Sequence, residues 1–303
     1  MFSCRAAMLT RGISKFLKPG PTSSYAHHTE GTANLIRHRS PSSFTTPYEQ
    51  ALFLAHVGPA HAEAFYRAEP CYLVAPEWME LYTSLAKETD NLTDRSPLVI
   101  RIHKADIFAS GLFVDTSKAL SAEGQSNPGF LLALELKIRA IHHDLLSCLE
   151  ELNAHMIRKA STRSYGSDTD VEQGALGRIL TCLCVYKRML AALCEGERLR
   201  LEAECQATVA LIHQAQEQAT ARHSWIHTEV EAGVAAIMQT TNPSWAEDLG
   251  VQSFAEQRLA SRNRWEAFRG HTSQYMYTAG KGTSERANIP PVTLPSPPKQ
   301  RWT

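Results

Sequence analysis

Two runs of aliphatic residues at heptad spacing, separated by a short polar stretch, constrain this chain more than any other feature. Leu131, Leu134, Ile138, Ile141, Leu145, Cys148 and Leu152 follow one another at intervals of three and four. Leu176, Ile179, Leu183, Tyr186, Leu190 and Leu193 repeat the pattern. Such a repeat gathers apolar side chains on one face of a helix, and that face needs a partner. The intervening segment 161–168, STRSYGSD, is polar and reads as a turn. The simplest way to bury both seams is for the two helices to fold back on each other. The expected fold class is therefore mainly α: a long antiparallel helical hairpin or coiled coil over 128–240, with shorter N-terminal helices and an extended C-terminal tail.

Local signals set the ends of these helices. Asn127-Pro128 supplies an N-cap and a first-turn proline. Thr169 and Glu172 match a capping box, which opens the second arm. Beyond Gly196 the seam slips by about one residue and resumes through Leu201, Cys205, Val209, Ile212, Gln216, Ala219, His223, Ile226, Val230, Gly233 and Ile237. An unbroken helix from 169 to 240 would span roughly 105 Å, about twice the first arm. Its far half then either bends near Gly196 into a bundle, or is covered by residues 47–89, or is covered by another protein. Leu201, Val209, Ile212, Ile226, Val230 and Ile237 are accordingly expected interface residues.

Upstream, 48–69 and 76–89 read as two shorter helices within a region spanning 47–127, and Leu98 to Ile102 as a short strand candidate. Residues 30–46, rich in Ser, Thr, Pro and His, read as a linker. Downstream, Asn242-Pro243 is expected to end the long helix and start another across 241–270, with Gly270 as its stop. Residues 271–303 then form an extended, basic, proline-containing tail.

Charge is unevenly spread. Residues 1–29 hold four basic residues and no acid, with apolar side chains between them. That is the composition of a mitochondrial presequence, and the basic residues interrupt the apolar run a secretory signal needs. Residues 30–261 carry a net charge of −9, whereas 262–303 carry +5. From just before this tail to its end, Arg258, Arg262, Arg264, Arg269, Lys281, Arg286, Lys299 and Arg301 are interleaved with Trp265, Phe268, Tyr275, Tyr277 and Trp302. Cations beside aromatic rings suit RNA, an acidic protein groove or anionic lipid. Trp265, Arg269, Tyr275, Tyr277, Arg301 and Trp302 join the expected interface.

Chemistry-bearing motifs are sparse. Seven cysteines at scattered spacing argue for free thiols. Cys184 and Cys194 sit about 15 Å apart on one helix, too far for a bridge, and Cys148 lies roughly level with Cys182 across the hairpin with only Cys148 on its seam. His223 and His227 stand at i, i+4 without the glutamate of a metalloprotease motif. Ala279 to Ser284 holds fragments of a phosphate loop but follows no strand. No catalytic, cofactor or metal residue is assigned. No stretch of about 18 apolar residues is present, so no transmembrane helix is expected. The reading is a non-catalytic structural or adaptor subunit of a mitochondrial assembly, in the matrix or at the matrix face of the inner membrane. Its partners are other protein subunits of a respiratory complex, ATP synthase or the mitoribosome. The alternatives are a mitoribosomal protein touching RNA through 262–303, and a soluble matrix enzyme with its site in 47–127.

Overall fold

The structure is a computed structural model that describes residues 23–89, 92–121, 127–161, 169–218, 225–247, 250 and 253–279. The described residues are mainly helical, with no strand among them. The helices are α1 (Ser23–Arg39), α2 (Pro47–Arg67), α3 (Pro76–Ser84), α4 (Pro97–Ala119), α5 (Pro128–Ser161), α6 (Thr169–Leu193), α7 (Arg198–Gln218), α8 (Trp225–Ala246) and α9 (Phe254–Ala279). Four of them open on proline in the first turn, where the missing N–H breaks no helical bond. Asn127 caps α5 by accepting from the Phe130 amide at 3.0 Å.

Both heptad seams are interior. On α5, Leu134, Ile138, Leu145, Cys148 and Leu152 are buried. On α6, Ile179, Leu183, Tyr186 and Leu190 are buried, and Leu176 and Leu193 pack against the same core. The two helices run antiparallel: Glu172 accepts from Lys159 at 2.9 Å near the turn, and Arg139 reaches Glu197 at the other end. Each fully buried Leu or Ile contributes on the order of 1.5–3 kcal/mol, so these seams dominate the packing.

The organising unit is nonetheless a bundle around α6. Helices α4, α5, α7, α8 and α9 all pack on it. The expected long second arm breaks after Leu193. Cys194 leaves helical geometry, a 3-10 turn spans Glu195–Glu197, and α7 doubles back along α6. Lys187 donates to Thr208 at 2.9 Å and Arg188 to Glu202 at 3.0 Å, which fixes that antiparallel register. The bend is the first of the three expected alternatives, and it brings the seam residues Leu201, Val209 and Ile212 inside.

Other expectations need correction. The linker 30–46 is largely helix: α1 buries Ala33 and Ile36 against α2, and Phe44 seals the joint. Burial of two side chains outweighs the polar composition there. The strand candidate Leu98 to Ile102 is the first turn of α4. Its apolar run, broken only by Arg101, lacks a period because α4 lies between two cores. Leu98, Val99 and Ile102 face the α6 bundle, while Ile100 and Ile107 face a cluster of Phe53, Trp78 and Tyr82. A short apolar run without period cannot separate strand from buried helix. The capping box expected of Thr169 and Glu172 rests on a Thr169 side chain outside the described residues; the Glu172 carboxylate also reaches across to α5, accepting from Lys159 at 2.9 Å and meeting His155 at 3.1 Å. Helix α8 runs through Pro243 to Ala246, held by the buried Trp245. The next helix starts at Phe254, where Ser253 and Glu256 form a capping box, and it continues past Gly270 to Ala279. The first nine tail residues are thus helical, and 280–303 lie outside the described residues.

Candidate functional site

The residues expected to bind partners mostly face their own chain. Leu201, Val209, Ile212, Ile237 and Trp265 are all buried in the bundle core. Trp265 donates its indole N–H to Ser117 at 2.9 Å and lies against Phe113. The reason is the fold-back at 194–197, which gives the second half of the expected arm an intramolecular partner. Arg269 stays at the surface and pairs with Glu266 at 3.2 Å. The side chains of Ile226, Val230, Tyr275 and Tyr277, together with Arg301 and Trp302, lie outside what the structure describes. The basic-aromatic set is split as well. Arg264 donates to both oxygens of Glu195, at 2.8 and 2.7 Å, and Phe268 is buried beside Trp265.

Two polar constellations deserve chemical scrutiny. The larger joins α2, α3, α4, α6 and α8. His103 and Asp106 share one face of α4, one turn apart, and Arg178 and Cys182 do the same on α6. His61 lies 2.9 Å from Asp106, Arg178 bonds the same carboxylate, and Tyr82 meets His103 at 2.7 Å. Burial pushes the Asp106 carboxyl up, but the opposing charges of His61 and Arg178 outweigh it and hold the group well below the usual carboxylate range. Cys182 donates to Asp106 at 3.5 Å; burial and that neighbouring negative charge push its thiol up. A nucleophilic cysteine needs the reverse: a thiolate favoured by a base or cation. The cluster holds an acid, an imidazole and a thiol, but arranged as a compensated charge centre. Beside it, Glu231 of α8 lies over Gly177, whose missing side chain leaves room for the carboxylate. Burial raises Glu231 to about 7.

The second constellation is Glu135, Cys194 and Glu197, three groups close enough to share a metal ion. Arg139 already sits among them, bonded to Glu135 at 2.8 Å and to Glu197, with its guanidinium 3.6 Å from the Cys194 sulfur. Burial, then Glu135, pushes Cys194 up to about 12. A thiol that stays protonated beside a resident cation is a poor metal ligand. The expected enzyme region also lines a cavity of about 60 Å³ between α1 and α2, bordered by Arg37, Glu63 and Tyr72. Small-molecule sites run roughly 300–1,000 Å³, so this cleft is too small for one.

Ten large apolar side chains are exposed among the described residues, and four of them lie on one helix. On the outer face of α5, Leu132, Leu136, Leu146 and Ile157 are 58, 58, 38 and 70% exposed. At 100° per residue they fall within an arc of about 80°, opposite the buried seam. Between them Ala133, Ala140, Ser147 and Ala154 are exposed too. Sequence reasoning missed this stripe because the inner seam of the same helix accounts for its periodicity so well. The signal was present: a second heptad set, offset from the first. Family models, curated proteins and solved structures were compared with the chain, and none matches it.

Proposed function

We propose that this chain is a non-catalytic structural or adaptor subunit of a mitochondrial multiprotein assembly, docking through the outer face of α5. The observation that carries the reading is the row Leu132, Leu136, Leu146 and Ile157 left in water by a chain that buries its other long seams. A scattered surface leucine needs no explanation; four large apolar side chains on one face of a single helix, with His143 and Glu150 between them, make a mixed face suited to packing against another helix. The mitochondrial destination rests on the basic, acid-free residues 1–29. No described helix is long and apolar enough to cross a membrane.

The test is native electrophoresis of mitochondria carrying the tagged full chain, with mass spectrometry of the band. The expected result is co-migration with a large particle, a respiratory complex, ATP synthase or the mitoribosome. Leu136→Glu combined with Ile157→Glu is expected to release the chain from it. Migration of the unaltered chain as a lone small species would overturn the reading, as would an unshifted double variant.

A further inference from the structure

We propose that the outer face of α5 pairs with α5 of a second copy of this chain, the two helices antiparallel about a two-fold axis near Asp144–Leu146. The inference rests on the reading of this face as a docking surface and names its occupant: the assembly holds the chain as a pair, so that breaking the pair also releases the chain from the particle. It comes from the way large and small exposed residues alternate. Ala133, Ala140, Ser147 and Ala154 recur every seventh position, and Leu136, His143, Glu150 and Ile157 follow each of them by three. All eight are exposed. In an antiparallel pair, small positions face large ones. Leu136 then lies over Ala154 of the copy, His143 over Ser147, Glu150 over Ala140 and Ile157 over Ala133. Small residues let the helix axes approach, and the large ones fill the space opposite, which is what knobs-into-holes packing requires.

Charge selects the same arrangement. Along one flank of the antiparallel pair Lys137, whose ammonium lies over its own Phe108 ring, faces Glu151 of the copy, which accepts from its own Arg101 at 2.9 Å, and His143 lies one turn from the copy's Glu150. A parallel pair would stack Glu150 on Glu150 and Ala on Ala, repulsive in one layer and void in the next. The one like-charge meeting in the antiparallel register is Asp144 with its counterpart, and each is already bonded by its own Arg101 at 2.6 Å. Leu146 falls on the axis against itself. From 132 to 157 the helix is about 38 Å long, a contact at the small end for specific association. Binding is therefore expected in the micromolar range, on the order of 1–100 μM.

Sedimentation velocity of the purified full chain, over roughly 1–100 μM, reads this out. The expected result is a monomer that converts to dimer with rising concentration. Leu136→Glu with Ile157→Glu should remain monomeric throughout while melting at the unaltered temperature, because both side chains are solvent-facing. A short bis-maleimide should cross-link Leu146→Cys chains to each other but not Leu132→Cys chains, whose thiols would sit about 42 Å apart. The unaltered chain, with its own cysteines, is the background. A chain that stays monomeric at the highest concentration, or that cross-links equally through both cysteines, overturns the proposal. The two readings then part company. If the monomeric chain still loses its mitochondrial particle on Leu136→Glu with Ile157→Glu, α5 docks on a different protein; if the particle is kept, the docking face itself is wrong.

Discussion

Helices α5 and α6 carry nearly the same aliphatic repeat, yet one is enclosed and the other is half in water. On α6 the residues off the seam are buried as well: Leu180, Cys182, Cys184, Met189, Ala191 and Ala192, with Lys187 and Arg188 among them. On α5 the residues off the seam include Leu132, Leu136, Leu146 and Ile157, all exposed. The difference is one of position in the bundle. Helices α4, α5, α7, α8 and α9 surround α6, whereas among the described residues α5 packs chiefly against α4 and α6, on one side. An apolar residue on α6 is therefore explained by folding. An apolar residue on the outer face of α5 is unexplained by folding, and that is the physical content of the claim that it meets a partner.

The largest test of this contrast is Arg188. It is fully buried, bonded to Glu202 and to the Met238 carbonyl at 3.0 Å each, with its guanidinium 4.6 Å from the Trp245 ring centre. Glu202 is itself 2% exposed. Removing one member of such a pair leaves the other charge in the core, which costs about 3–5 kcal/mol. Arg188→Ala is expected to lower the urea midpoint drastically or prevent folding. Arg188→Met together with Glu202→Leu should recover much of that loss, because neither charge is then stranded. A single variant as stable as the parent would mean that α6 is not the enclosed helix described here.

Next comes a matched pair of leucines. Leu190→Ala on α6 is expected to cost about 2–5 kcal/mol, the range for emptying a close-packed site. Leu136→Ala on the outer face of α5 should change the stability of the isolated chain by about 0.5 kcal/mol or less. Equal losses in denaturant unfolding would erase the distinction between the two helices.

Much of this architecture was readable in the sequence, and the failures have a common cause. The seams of α5 and α6 and the cap at Asn127 depend on local spacing, which a sequence displays directly; the phase slip at Gly196 marked the bend as one of three outcomes. The inward fate of Leu201, Val209, Ile212 and Trp265 depends on what lies across from them, which spacing does not encode. The Asp106 centre was invisible for the same reason. His61, Asp106 and Arg178 come from three helices far apart in the chain, and each alone looks like an ordinary surface residue. Helix α4 misled in the opposite way. Sandwiched between two cores, it carries apolar residues on two faces and so loses the single-face periodicity that would announce it.

Acid should weaken both cores together. His56 lies in the N-terminal cluster and His142 on α5. Burial lowers His56 to about 4, and burial reinforced by Lys187 lowers His142 to about 4. Each is neutral in the folded chain and takes up its proton more readily on unfolding. The stability they represent is complete above the unfolded value near 6.5 and is lost as pH falls toward about 4. With solvent screening allowed for, the loss is about 1–2 kcal/mol apiece. Asp106, held low by its partners, adds a loss only below its ordinary value of 3.8. Thermal melts from pH 7 to pH 4 check the slope. His142→Gln should flatten it in part, and a slope confined to pH values below 4 would refute the assignment.

The smallest effect is also the most specific to α6. Glu231 on α8 covers Gly177, a place where a carboxylate stands against that helix instead of an aliphatic side chain. Its folded value, raised to about 7 by burial and only partly offset by Arg178, lies above the ordinary 4.5. The folded chain therefore binds the proton more tightly than the unfolded chain, and stability falls as pH rises from about 4.5 through about 7. Glu231→Gln keeps the shape and removes the ionisation. It should raise the melting temperature at pH 8 by an amount worth about 1 kcal/mol, screened because the group is partly exposed, and should have no effect near pH 4.5. Gly177→Ala sharpens the point by displacing the carboxylate into water: the pH dependence at this site should vanish with Glu231 still present. If Glu231→Gln changes stability equally at both pH values, the carboxyl is not desolvated, and α6 is open on the side facing α8 much as α5 is open on its outer face.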